Sequence, residues 1–194
     1  ACCRSMSNEL QDLINHSHHG DSSDQNQKKA SSVVVQFVPL DVKSEQSIQE
    51  ASHLIEQSLA RNLDNSKSKS CDENHIHYLI NNAGQFIPHE TLDNVQYDQF
   101  MSSVATNTAG PLFLWQHLRH LLSNHNCKIV QIGSLMGSMG SITYSDGHPS
   151  YRCSKAALNM FNILVSNYYE QLRVKELKQR QKQEKMKANQ NRKK

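Results

Sequence analysis

One stretch, Lys128 to Phe161 (KIVQIGSLMGSMGSITYSDGHPSYRCSKAALNMF), constrains the chain more than any other. Ile129, Val130 and Ile132 have the apolar, β-branched character of a short buried strand, and Gly133 and Ser134 follow at its carboxyl end. A loop rich in Gly and Ser comes next. A helix is expected from about residue 150, with Leu158, Phe161, Ile163, Leu164 and Val165 on its apolar face. Tyr151 and Lys155 stand four apart on it, so both side chains share one face. An ammonium there favours the phenolate of a tyrosine that otherwise titrates near pH ~10. Strand, loop and helix thus bring three chemical groups to one segment: Ser134, Tyr151 and Lys155. The spacing of Tyr151 and Lys155 alone carries little weight, since a tyrosine meets a lysine at that offset roughly one time in ten.

The rest of the chain repeats the same alternation. Ala1 to Arg4 reads as the end of a strand, and Met6, Leu10, Leu13 and Ile14 fall at helical spacing. Residues 15–32 are polar and turn-rich, an exposed loop. Val33 to Leu40 is a β-branched run of the kind buried on both faces of a parallel sheet, and it ends at Asp41. Ser44 can cap a helix that runs to about Arg61 with Ile48, Ala51, Leu54, Ile55, Ser58 and Leu59 inward. After a polar linker at 62–74, Ile76 to Ile80 form a strand that leads into Asn81-Asn82-Ala83-Gly84. Residues 94–122 read as a long helical segment through Val104, Leu112, Phe113, Trp115, Leu118, Leu121 and Leu122, broken or kinked at Gly110-Pro111. Strands near 33–40, 76–80 and 128–133, separated by helices, predict an α/β fold with a parallel sheet.

Composition removes several alternatives. The chain has 194 residues, enough for one domain with a substantial core. Five cysteines (Cys2, Cys3, Cys71, Cys127, Cys153) without regular spacing argue against a disulfide framework and against a zinc site, so they read as reduced thiols. The eleven histidines include His16, His18 and His19 without Cys or carboxylate partners at ligand spacing, and no metal is expected. No run approaches the ~18 apolar residues of a membrane span, and the first thirty residues lack a signal-peptide core, which makes a cytoplasmic protein the default. Charge is uneven: residues 173–194 carry ten Lys or Arg against two Glu, whereas the body before them is acidic. That tail lacks aromatics for base stacking, so a solvated helix fraying into disorder is favoured over nucleic-acid binding.

With a strand ending in Ser134, the Tyr151/Lys155 helix and the Asn81 to Gly84 turn in place, the chain resembles the short-chain dehydrogenase/reductase family. The wording YRCSKAALNMF, together with LDV at Asp41, is most similar to its carbonyl-reductase and C-factor-like members, over roughly residues 1–165. The resemblance implies a Rossmann-like, doubly wound parallel sheet in three layers and an NAD(P)-dependent oxidoreductase acting on a small carbonyl or alcohol. It makes Tyr151 the general acid, Lys155 the residue that holds the nicotinamide ribose, Ser134 the group that orients the substrate carbonyl, and Asn107 the support of a water-linked proton relay. It assigns Asn82, Ala83 and Gly84 to the turn on the adenine side of the cofactor and Asp41 and Val42 to the pair beside the adenine ring. It matches Arg4 to the basic residue that pairs with the 2′-phosphate, favouring NADP over NAD. It is also compatible with a homo-oligomer.

The departures are equally specific. No TGxxxGxG loop occurs, and Gly20 is the only glycine before Gly84, so nothing here supplies the backbone amides that hold a pyrophosphate at a helix start. Ser134 and Tyr151 are a few residues further apart than is commonest in the family. The first βαβ half-unit and the last strands of the fold are expected to be missing, leaving residues 1–172 as a partial nucleotide-binding domain and 173–194 as a basic tail. Two functions follow from this: an oxidoreductase fragment with impaired activity, or a non-catalytic relative that serves as a binding or interaction module.

Overall fold

A computed structural model describes residues 2–3, 35–65, 75–123, 127–142 and 147–191. Along the chain these form strand β1 (Cys2–Cys3), β2 (Val38–Pro39), helix α1 (Glu45–Asn65), β3 (Tyr78–Asn81), α2 (Tyr97–Val104), α3 (Gly110–Leu118), β4 (Lys128–Gln131) and α4 (Pro149–Asn191). β1 and β2 pair in parallel, Cys2 opposite Val38 and Cys3 opposite Pro39. β3 and β4 form a second two-stranded sheet, preceded by a parallel bridge from Ile76 to Leu122. The expected α/β class is observed. Arg4, the expected helix at 6–14 and residues 33–34 lie outside the described residues; of the rest of the expected 33–40 strand only Val38–Pro39 is strand.

Two compact units can be distinguished, Ala1–Ala83 with Ala109–Val130, and Gly84–Thr108 with Gln131–Lys194. In the first unit the turn after β2 is built from its own polar groups. The Asp41 carbonyl accepts the Ser44 amide at 3.0 Å, Ser44 Oγ accepts the Ser47 amide at 3.2 Å, and Ser47 Oγ accepts the Asp41 amide at 2.8 Å. Ser44 therefore caps α1, as its residue type predicts. Ile48 and Ala51 are buried, but Leu54 is 43% exposed where an inward position was expected. The buried arc is centred between Ala51 and Ser52, and at 100° per residue Leu54 falls about 110° from its middle. Ser52 lies within the arc instead, its hydroxyl satisfied by the Ile48 carbonyl at 2.7 Å.

The sheet at β3 and β4 also departs from expectation. Leu79 and Asn81 are buried while Tyr78 and Ile80 are exposed, and Val130 and Ile132 are 37% and 44% exposed. A parallel strand becomes apolar on both faces only where helices cover both. Here one face is covered and the other is open.

In the second unit α2 passes into a π-helical segment, Ala105–Ala109. The sequence supplies the cause: in an α-helix the residue at 111 would donate to the Asn107 carbonyl, and Pro111 has no N–H. The break expected at Gly110-Pro111 is thus expressed one turn earlier. α4 buries Ser150, Ser154, Lys155, Leu158, Phe161 and Val165 on one face. Beyond Arg173 it does not fray but continues as helix to Asn191, every side chain from 170 to 189 exposed. Its Lys, Arg, Gln and Glu residues are good helix formers even without a packing partner. No helix among the described residues is long and apolar enough to cross a membrane.

Candidate active site

The first turns of α4 carry the chemistry. His148 precedes the helix with φ 60°, its carbonyl accepting the Arg152 amide at 3.0 Å, and Pro149 opens the helix with the fixed φ that suits a first position. Tyr151 and Lys155 then meet on one face: the Lys155 Nζ lies 5.6 Å from the centre of the Tyr151 ring. Lys155 is only 3% exposed and donates to the Ile132 carbonyl at 2.6 Å. Among the described residues no carboxylate stands within ion-pair distance of it. Burial without a countercharge pushes its pKa below the usual lysine range, because desolvation penalises the ammonium.

Ser134 sits at the start of the loop that follows β4. Its Oγ accepts the Met136 amide at 3.2 Å and so caps the short 3₁₀ turn Leu135–Gly137. Three contacts tie this loop to α4. Lys155 holds the Ile132 carbonyl, Asn159 Nδ2 donates to the Gly137 carbonyl at 3.3 Å, and Gly137 lies flat against the helix. A Cβ at position 137 would stand 2.7 Å from the Lys155 carbonyl carbon and 2.8 Å from its Cβ. The serine-bearing loop and the Tyr151/Lys155 face are therefore joined at Lys155 itself.

Asn107 is fully buried in the π-helical segment. Its Nδ2 donates to the Gln85 carbonyl and to Ser154 Oγ, both at 2.8 Å, and its Oδ1 accepts the Gln85 amide at 2.7 Å. Both amide hydrogens are thus spent on protein groups. Asn107 locks the segment after Gly84 to α4 one residue before Lys155.

In the first unit Asp41 Oδ1 accepts the Lys43 amide at 3.1 Å, which makes it part of the β2–α1 turn, and Val42 touches Gly110 so closely that an added Cβ there would lie 2.8 Å from its own Cβ. Asn82 and Ala83 are exposed after β3, as is Gly84 at the start of the second unit.

Several residues that sequence reasoning missed shape this site. Gln85 Oε1 accepts the Ser102 hydroxyl at 2.7 Å, and the Thr108 hydroxyl donates to the Ser154 carbonyl at 2.7 Å. Phe86 stands edge-on to Tyr151 at 5.1 Å between centroids and 4.5 Å from the His148 ring. Only Ser154, beside Lys155 in the motif, offered a local signal. As a donor set, Tyr151, Lys155 and Ser134 suit a sugar diol and a carbonyl oxygen. The TGxxxGxG pattern, whose amides would cradle a pyrophosphate, does not occur in the sequence.

Residues 13–177 match the family model for short chain dehydrogenase. No curated protein matches the chain. Among solved structures, NADPH-bound carbonyl reductase from chicken fatty liver is 28% identical, with a TM-score of 0.64, covering 88% of this chain and 62% of that one. Serine dehydrogenase from Escherichia coli shares the fold at 20% identity and a TM-score of 0.57, covering 86% and 62%. The landomycin C-6 ketoreductase LanV, with bound NADP and rabelomycin, does so at 17% and 0.58, covering 71% and 51%. The chain thus spans less than two thirds of the length of these structures.

Proposed function

The chain belongs to the short-chain dehydrogenase family, with its Rossmann-like α/β fold, and from that premise we propose that its site is that of an NADP-dependent oxidoreductase interconverting a small carbonyl compound and its alcohol. The observation that carries the reading is the junction at Lys155: a buried ammonium beside Tyr151, hydrogen-bonded to the Ile132 carbonyl and, among the described residues, without a carboxylate partner, with the Ser134 loop closed onto the same helix. When bound, the nicotinamide supplies the hydride.

The residues do the rest. The Tyr151 hydroxyl gives its proton to the carbonyl oxygen, and the Ser134 hydroxyl orients that oxygen. Lys155 meets the ribose hydroxyls and places a cation 5.6 Å from the centre of the Tyr151 ring. Asn107 holds the helix in register through Ser154. NADP is preferred to NAD in this reading because of Arg4 and the cofactors named with the chicken and LanV structures. The resemblance assigns Asp41, Val42, Asn82, Ala83 and Gly84 to the adenine side of the cofactor, and the cytoplasm is the expected compartment.

A second reading is favoured by one observation, the lack of a glycine-rich pyrophosphate turn: a non-catalytic binding or interaction module. The two separate in a chain extended at its amino terminus by a strand, a TGxxxGxG turn and a helix. There Tyr151→Phe is expected to abolish NADPH-dependent carbonyl reduction while NADPH binding, followed by fluorescence, is kept. Turnover that survives Tyr151→Phe would overturn the enzyme reading, as would its absence in the extended chain with Tyr151 intact.

A further inference from the structure

Glu90 is 4% exposed and lies sixty residues from Ser150 in sequence, yet its carboxylate sits on the first turn of α4. Oε2 accepts the Ser150 amide at 2.9 Å and Oε1 accepts the Ser150 hydroxyl, with Ser150 itself fully buried. The Glu90 backbone carbonyl accepts the His148 amide at 2.8 Å. His148 Nδ1 also meets the Ile87 carbonyl at 3.1 Å, so the segment 87–90 grips the helix entry on both sides of Pro149. Among the described residues no cation is within ion-pair distance of Glu90. What balances its charge is the positive end of the helix and the unpaired amides there.

We propose that Glu90 is a positioning residue for Tyr151, a cap supplied from a distant segment that keeps the first turn of α4 wound. Helix ends open first, and Tyr151 lies in that first turn, directly after Ser150. Lys155 is secured one turn later by Ile132 and, through Ser154, by Asn107. Tyr151 packs its ring at right angles to Phe86, and although its carbonyl accepts the Ser154 hydroxyl at 2.8 Å, its amide side depends on the turn that Glu90 caps. Loss of the cap therefore releases Tyr151 while leaving Lys155 in place. The term "positioning" rests on Tyr151 being the acid of the proposed reaction, but the contacts and the test below do not.

The test is amide hydrogen exchange by NMR in the 194-residue chain, which needs no turnover. In Glu90→Ala, exchange at Ser150, Tyr151 and Arg152 is expected to quicken by about 2- to 30-fold, the range that loss of a helix cap produces. Leu158 and Phe161 should stay unchanged, and the nuclear Overhauser contact between the Tyr151 and Phe86 rings should weaken. Glu90→Gln should restore most of the protection, since its carbonyl oxygen still accepts the Ser150 amide and its N–H can donate to the hydroxyl. A uniform change that reaches Leu158 and Phe161, or no change at Tyr151, would overturn the inference. If Glu90→Ala does not fold, Ser150→Ala removes the hydroxyl bond alone and must give the same local pattern at smaller amplitude. Failure of the oxidoreductase reading would appear separately, in the Tyr151→Phe comparison.

Discussion

Lys155 is the residue with the most to lose by its location. An ammonium in a buried setting without a countercharge is disfavoured, and its pKa is displaced downward for that reason. A side chain that only filled space there would serve better as Met, so the charge is better explained by what it does beside Tyr151 than by stability. Gly137 is what lets the Ser134 loop reach it. Since the obstructing atoms are α4 backbone and Lys155 Cβ, Gly137→Ala cannot be relieved by swinging a flexible side chain aside. Overpacking of this kind costs about 1–3 kcal/mol, and urea unfolding of Gly137→Ala is expected to show a loss of that size. An unchanged midpoint would mean that the loop is free to lift from the helix. At this scale the sequence made Tyr151 and Lys155 legible because a spacing of four is a property of one helix. It could not reveal Gly137, Gln85 or Glu90, whose roles depend on partners 18, 22 and 60 positions away.

Helices and strands were legible to different degrees. Periodicity located α1, the segment 94–122 and the start of α4, because amphipathic spacing is written locally. Strand burial was harder to read: β-branched runs look alike whether one face is covered or both, and β3 and β4 have one. The π-helical segment was announced only as a break, although Pro111 determines which carbonyl is left without its partner. At the far end of α4, composition marked where packing stops but not whether the helix continues. Val165 is its last deeply buried residue, and the exposed ion pair of Arg173 with Glu170 at 2.9 Å is of the kind that contributes little. Removing residues 173–194 is therefore expected to lower ellipticity in the far ultraviolet but to move the thermal midpoint by less than about 2–4 °C, the shift that 1 kcal/mol produces in a domain of this size. A larger fall would mean that the exposed apolar residues Leu177 and Met186 have a partner in solution.

For the molecule as a whole, the groups proposed for proton transfer and those expected to hold a dinucleotide are unequally represented. Asn107 is bonded to Ser154 of α4, whose hydroxyl reaches the Tyr151 carbonyl, Lys155 follows Ser154 on that helix, and the loop of Ser134 is pinned to it. The sequence contains no TGxxxGxG motif of the kind that receives a pyrophosphate on consecutive amides. Hydride transfer requires the nicotinamide at near-attack distance, and orientation of that kind can supply roughly 7–11 kcal/mol of the barrier reduction. On the proposed reading, a site with Tyr151 as its acid but without that motif to hold the donor forfeits several of those, and each 1.36 kcal/mol is about tenfold in rate. The purified 194-residue chain is accordingly expected to oxidise NADPH with carbonyl substrates negligibly, at a rate indistinguishable from that of its Tyr151→Phe variant. Robust NADPH oxidation lost on Tyr151→Phe would show that the nicotinamide and ribose contacts suffice without a glycine-rich turn. Such a result would contradict the argument from positioning while upholding the assignment of Tyr151.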